Sequence, residues 1–302
     1  MSIGHYIKEI GRGKDGARPL AREQAADLFG QVLDGTVTDL EVGAFCLAMR
    51  IKGETPAEMA GFLDATHARL HLVPRTGDKP VVVLPSYNGA RKLPVLTPLL
   101  AMLVAREGLR VVIHGTATES SRVPSSEVMT ALGVSPARSV AAFNDAGVDF
   151  IPTEVLCPGL KRLLDVRRLV GLRNPAHSLV KLMNPCEGPA LLVSSYTHPE
   201  YAASMAETFE LMGSDALLLR GTEGEVVADA RRMPQMDGYL KGVHVPLQDL
   251  QRGTLSSVPD LPAAIDAVST ADYIEAVMSG SRPVPESIKR QVEHILHLCK
   301  SL

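Results

Sequence analysis

Apolar residues recur at helical spacing through the first seventy positions and in short unbroken runs after position 80. Residues 20–33 carry the helical pattern and stop at Asp34-Gly35, where glycine permits the left-handed backbone that closes a helix. Thr38-Asp39 predicts the cap of a second helix over 40–51, ended by Gly53. Thr55-Pro56 starts a third, with proline in its first turn, running to about residue 70. No strand pattern occurs in this stretch.

Beyond Pro80 the texture changes. Residues 81–84, 109–113, 149–151, 190–194 and 216–219 are short apolar runs bounded by turn formers. Helical patterns over 96–106, 125–132 and 200–212 lie among them, and 271–302 reads as helix again. Such alternation predicts an α/β domain with a central, mostly parallel sheet. The expected division is a helical domain over 1–75, joined by part of 160–185, and an α/β domain over 76–302. Ligands of open α/β sheets bind beyond the carboxyl ends of strands, so the turns after Leu84, Ile113 and Leu219 are the candidate site.

Composition narrows the class. Of 302 residues, 45% are hydrophobic and 22% charged, ordinary globular values. No apolar run reaches the length of a membrane helix, and residues 1–16 lack the apolar block of a signal peptide, so no membrane partner is expected. Cys46, Cys157, Cys186 and Cys299 lie far apart without metal spacing and read as reduced thiols of a cytoplasmic protein. The net charge of −3 does not suggest a nucleic-acid binder, yet the cations are clumped. Arg12, Lys14, Arg18 and Arg22 lie near the start, Arg91 and Lys92 in a turn, and Lys161, Arg162, Arg167, Arg168, Arg173 and Lys181 in a longer run. Uneven charge binds phosphate where net charge cannot predict it, and solvated helix faces are the plainer reading.

Several segments carry a family resemblance. Arg50-Ile51-Lys52-Gly53-Glu54-Thr55, then His114-Gly115, Ser121-Arg122 and Ala131-Leu132-Gly133, then Val166-Arg167-Arg168, Gly171-Leu172-Arg173 and Asn184-Pro185, together resemble the anthranilate phosphoribosyltransferase (TrpD) superfamily, in order and over nearly the whole chain. The resemblance implies a small helical domain joined to a large α/β domain, the class III phosphoribosyltransferase or nucleoside phosphorylase-like fold. It also implies a homodimer through the helical domain. The hairpins of 20–70, apolar on one face, agree with two-fold pairing.

Two motifs of that superfamily are replaced. Its glycine-rich loop, Gly-Thr-Gly-Gly-Asp, cradles pyrophosphate on backbone amides, and glycine lets the backbone approach. Leu84-Pro85-Ser86-Tyr87-Asn88 stands there, so proline removes a donor and tyrosine adds a ring. The family's Asn-Ile-Ser-Thr becomes Pro94-Val95-Leu96-Thr97, and its magnesium-holding Asp-Glu pair becomes Val226-Val227. Hard cations take oxygen ligands, which leaves only Glu223, Glu225 and Asp229 nearby. The segment 85–92, with Arg220-Gly221 and Arg231-Arg232, instead resembles the YbiB-like branch, which implies DNA binding through basic residues without the phosphate loop.

The expected function is therefore non-catalytic, with a homodimer holding the phosphate backbone of DNA or RNA through Tyr87, Asn88, Gly89, Arg91, Lys92, Arg122, Arg167, Arg168 and Arg173. His114, Gly115 and Ser121 form a remnant substrate pocket. No catalytic residue, metal or cofactor is expected. Each position has a plainer reading: a turn at Asn88-Gly89, a packed His114, and exposed helix cations at Arg167-Arg168. Two alternatives stay open. One is a phosphoribosyl- or other pentosyltransferase with an altered phosphate site and magnesium on the glutamates. The other is a small-molecule sensor without turnover.

Overall fold

The computed structural model describes residues 2–13, 15–141, 147–256 and 260–302. Lys14, counted above in the first basic clump, lies outside them. The chain opens with four helices, α1 (Gly4–Ile10), α2 (Arg22–Asp34), α3 (Asp39–Lys52) and α4 (Pro56–His67). Both threonine caps form. The Thr38 and Thr55 hydroxyls accept the amides of Glu41 and Glu58, whose carboxylates accept the threonine amides in return. Buried Glu58 also takes the Lys52 ammonium and the Leu20 amide, tying the end of α3 to the approach of α2. At the bundle's centre the Phe29 and Phe62 rings stack with centroids 4.6 Å apart, and Phe45 meets both edge-on.

The rest of the chain builds a seven-stranded sheet. In order come β1 (Val81–Ser86), α5 (Thr97–Arg106), β2 (Arg110–Gly115), α6 (Ser125–Ala131), β3 (Val148–Pro152), α7 (Thr153–Leu156), α8 (Pro158–Val170), α9 (Ala176–Leu179), β4 (Ala190–Tyr196), α10 (Pro199–Met212), β5 (Ala216–Arg220), β6 (Met236–Leu240), β7 (Val243–Gln248), α11 (Ala267–Met278) and α12 (Glu286–Cys299). The strand order is β3-β2-β1-β4-β5-β6-β7, with the first five parallel and the last two antiparallel. Alternate residues face two cores. Val83, Leu192 and Leu218 join the helical bundle, while Val82, Ile113 and Leu217 meet Leu99, Ile274 and Ile295 of the other helical layer. Burial on both faces is why these strands are unbroken apolar runs. Helix α8 packs on the bundle, where Arg162 donates to the Leu33 carbonyl at 2.8 Å.

Two elements depart from the sequence reading. The β6–β7 hairpin was not expected, because Asp237-Gly238 interrupts its apolar run. Its turn uses Lys241 and Gly242, both at positive φ (50° and 78°), as two-residue hairpins require. The tail is two helices, broken around Gly280, Pro283 and Pro285. No helix among the described residues is long and apolar enough to cross a membrane.

Candidate functional site

Strand order reverses between β1 and β4, and at that switch point the loops after β1, β2 and β5 meet. They are sewn together. Ala90 and Val123 exchange backbone bonds (2.8 and 3.2 Å), Thr118 donates to the Tyr87 carbonyl, and two glutamates from the loop after β5 cross to the loop after β1. Glu225, 2% exposed, accepts the amides of Asn88 (2.8 Å) and Gly89 (2.9 Å) on one oxygen and the hydroxyls of Ser86 (2.6 Å) and Thr97 (2.9 Å) on the other. Ser86 spends its single hydrogen on the carboxylate, so Ser125, 2.7 Å away, donates to Ser86. Glu223, held at φ 54°, accepts the amides of Arg91 (2.7 Å) and Lys92 (3.0 Å). The amides of Asn88, Gly89, Arg91 and Lys92 are thus covered by internal carboxylates.

These bonds engage the loop internally. Neither Asn88 nor Gly89 offers an amide to an outside phosphate, and Glu225 offers no free oxygen to magnesium. Asp229 is held by Arg231, at 2.8–2.9 Å. Among the described residues no group of His, Cys, Asp and Glu is arranged to hold a metal. Gly89 serves the turn itself, since it sits at φ 71° and a Cβ would run into the Val123 carbonyl.

Tyr87 and His114 are buried in the core. Tyr87 is 6% exposed, so its ring presents no face to a base. Its hydroxyl accepts from Thr153 (3.0 Å) and pairs with His114 Nδ1 (2.9 Å). Thr153 supplies one hydrogen, so the phenol's own points at Nδ1 and the imidazole carries its proton on Nε2. Burial lowers the His114 pKa to about 3 and keeps the ring neutral. Gly115 is a packing glycine, where a Cβ would overlap the Ser86 carbonyl of the neighbouring strand. Ser121 is exposed on the loop after β2. The cleft between the β1 and β2 loops is shallow and lined by Asn88, Thr116, Glu119 and Arg122.

The cations do converge. Arg122 (3.1 Å), Arg167 (2.8 Å) and Arg173 (3.2 Å) all reach the carboxylate of Glu119, and Arg168 leans on the Ala117 carbonyl. Burial acts to raise the Glu119 pKa, but the Arg167 bond and the Arg122 and Arg167 charges outweigh it and hold the group at about 2. Lys181 lies inward, its ammonium 3.0 Å from the Gly224 carbonyl. Burial lowers its pKa to about 8, Glu225 opposes that fall, and Arg173 and Arg122 add to it. Arg91, Lys92, Arg168, Arg173 and Arg220 are exposed along this edge. Sequence reasoning missed Glu119 and left Lys181 undecided between surface and site. The one available signal was an acid three residues before Arg122, the loop's single cation.

The glycosyl transferase family's helical bundle domain matches residues 5–69, and its α/β domain matches residues 92–237. The uncharacterized protein YbiB of Escherichia coli is 43% identical over 97% of this chain and 92% of its own. An anthranilate phosphoribosyltransferase of Idiomarina loihiensis is 27% identical over 92% of this chain and 85% of its own. The fold also matches the crystal structure of anthranilate phosphoribosyltransferase from Thermus thermophilus with a TM-score of 0.73 at 23% identity, covering 95% of this chain and 85% of that one.

Proposed function

The chain belongs to the glycosyl transferase family that joins a helical bundle to an α/β domain, and within it we propose a non-catalytic homodimer that binds the phosphate backbone of nucleic acid with little sequence preference. The observation that carries this reading is the plug. Carboxylates of Glu225 and Glu223 occupy the loop amides that a phosphoribosyl donor would need, while side-chain cations line the same edge. Arg91, Lys92, Arg122, Arg167, Arg168, Arg173 and Arg220 stand there against Glu119, Asp165 and Glu223, an excess of four positive charges (7 − 3) on a chain of net charge −3. Guanidinium and ammonium groups contact phosphates without reading bases.

The dimer is part of the proposal. Leu40 (83% exposed), Leu47 (46%) and Ile51 (66%) share one face of α3 with Ala44, a 4-3-4 spacing that suits a helix packing on its own copy. Two copies double the cations that one strand can meet.

The second reading is a pentosyltransferase with an altered phosphate site. The names of the relatives favour it, and the plug weighs against it. Magnesium does not fit, because buried Val226-Val227 stands where the resemblance puts the metal acids and Glu225 is consumed. An assay with anthranilate, phosphoribosyl pyrophosphate and magnesium should give no product.

The test is binding of labelled single- and double-stranded oligonucleotides, each with a scrambled competitor, across a salt series. Scrambled and original sequences should compete about equally. The logarithmic salt slope should flatten by roughly 0.7–0.9 for each contact removed by Arg91→Ala and Lys92→Ala. A wild type that binds nothing at low salt, or a chain that turns over the donor, overturns the reading.

A further inference from the structure

Three arginines, from the loop after β2, from α8 and from the loop after α8, aim at one point, and that point is filled by a residue of the same chain. We infer that Glu119 masks a phosphate subsite formed by Arg122, Arg167 and Arg173, and that a backbone phosphate of nucleic acid takes its place. The inference rests on the nucleic-acid reading above and adds how this one subsite is regulated.

The geometry is that of an anion receptor. Arg167 Nη2 (2.8 Å) and Arg173 Nη2 (3.2 Å) bond one carboxylate oxygen, and Arg122 Nε (3.1 Å) bonds the other. A phosphodiester presents two non-bridging oxygens in the same relation, so it can accept the same donors. The receptor is also incompletely used, for Arg167 Nη1 is buried without a hydrogen-bond partner among the described residues. A tetrahedral anion has a further oxygen to offer it where a planar carboxylate does not. One negative charge faces three positive ones, leaving the cluster at +2 (3 − 1) with its mask in place.

Glu119 is open to exchange with an anion that offers its partners equivalent bonds. Its side chain is 23% exposed on the loop between β2 and α6, beside exposed Ala117 and Ser120, so a competing anion reaches the cluster from solvent. With the carboxyl held at about 2, protonation does not release it at neutral pH, and only a competing anion does. The mask keeps a strongly cationic pocket quiet towards single small anions. A polyanion already held by the exposed Arg91 and Lys92 presents its phosphates at high local concentration.

The test compares wild type with Glu119→Gln on a labelled oligonucleotide, by anisotropy across a salt series. Removing the internal competitor should tighten binding about tenfold, equivalent to about 1.4 kcal/mol. The salt slope should change by less than one contact's worth, roughly 0.7–0.9, because the same phosphate is bound in both proteins once the mask is displaced. The gain should vanish in Glu119→Gln/Arg167→Met, because the freed subsite is then missing its central donor. A Glu119 that only shapes the loop predicts equal or weaker binding in Glu119→Gln, which overturns the mask. Thermal melts within a few degrees of wild type show that the loop has not collapsed. If the gain is erased by a millimolar nucleoside monophosphate, the subsite serves free nucleotides and the polymer assignment is overturned. If neither wild type nor variant binds any oligonucleotide, it is the underlying nucleic-acid reading that fails.

Discussion

Glu225 is the residue on which the converted loop depends, and replacing it tests that claim directly. Its two oxygens take four donors at 2.6–2.9 Å, two amides and two hydroxyls, with 2% of the residue exposed. Glu225→Ala leaves Asn88 and Gly89 amides buried without an acceptor and Lys181 without its nearest carboxylate. Removing one partner from a buried charged network typically costs about 3–5 kcal/mol. Four hydrogen bonds to a carboxylate at about 1.5–3 kcal/mol each would sum higher, but the desolvation of that carboxylate offsets part of them. For a chain of this size the loss corresponds to a melting point about 6–10 °C lower. Glu225→Gln should behave differently. Its carbonyl oxygen can keep the two amides, and its NH₂ can face Ser86 and Thr97, whose hydroxyls rotate to accept. That variant should lose only about 1–2 kcal/mol. The assay is calorimetry or a denaturant melt of all three proteins. An alanine variant melting within 2 °C of wild type, or a glutamine variant as damaged as alanine, would refute the claim that this carboxylate holds the loop.

Two further outcomes follow from the same residues and surfaces. Leu47→Asp sets a charge in the centre of the apolar face of α3, so light scattering at micromolar concentration should report a monomer where wild type reports a dimer, and an unchanged dimer rules that face out. The Lys181 ammonium, lowered by burial from 10.5 to about 8, has lost its proton in the folded state over a range where the unfolded chain retains it, so its contribution to stability rises between those pH values. The stability difference between wild type and Lys181→Met should therefore grow in favour of wild type from about pH 7.5 to about pH 9.5, and a flat difference contradicts it.

What was legible in the sequence followed local physics. Residues 81–84 and 190–194 announced themselves because strands covered on both faces have no polar side to interrupt them. The caps at Thr38 and Thr55 were legible because the partners lie three residues apart. The β6–β7 hairpin escaped because its turn is Lys241-Gly242 and its first strand contains Asp237-Gly238. The site was legible only as a list of residue types. Replacement of the loop glycines was visible, but not that Tyr87 turns inward to Thr153 and His114. Glu225 meets Asn88 across 137 positions, and Glu119 meets Arg173 across 54, pairings that no local pattern encodes.

The bonds of Glu225 and Glu223 bear on where the cations sit. An amide cradle fixes one phosphate group in one place, because its donors belong to the backbone and cannot shift. In this chain Glu225 and Glu223 accept the loop amides, which makes the loop after β1 a cross-link to the loop after β5. On the proposed reading, affinity for phosphate comes from side chains. Arg91 and Lys92 stand on that cross-link, their amides gripped by Glu223 while their charges extend into solvent. The backbone at these positions is hydrogen-bonded and the charged side chains are exposed, an arrangement poorly suited to orienting a single reactive pyrophosphate. It is well suited to following an irregular polyanion, where every phosphate is equivalent and register is free. On the proposed reading, Glu119 extends the same logic to the inner arginines, whose shared carboxylate holds them in place of a phosphate.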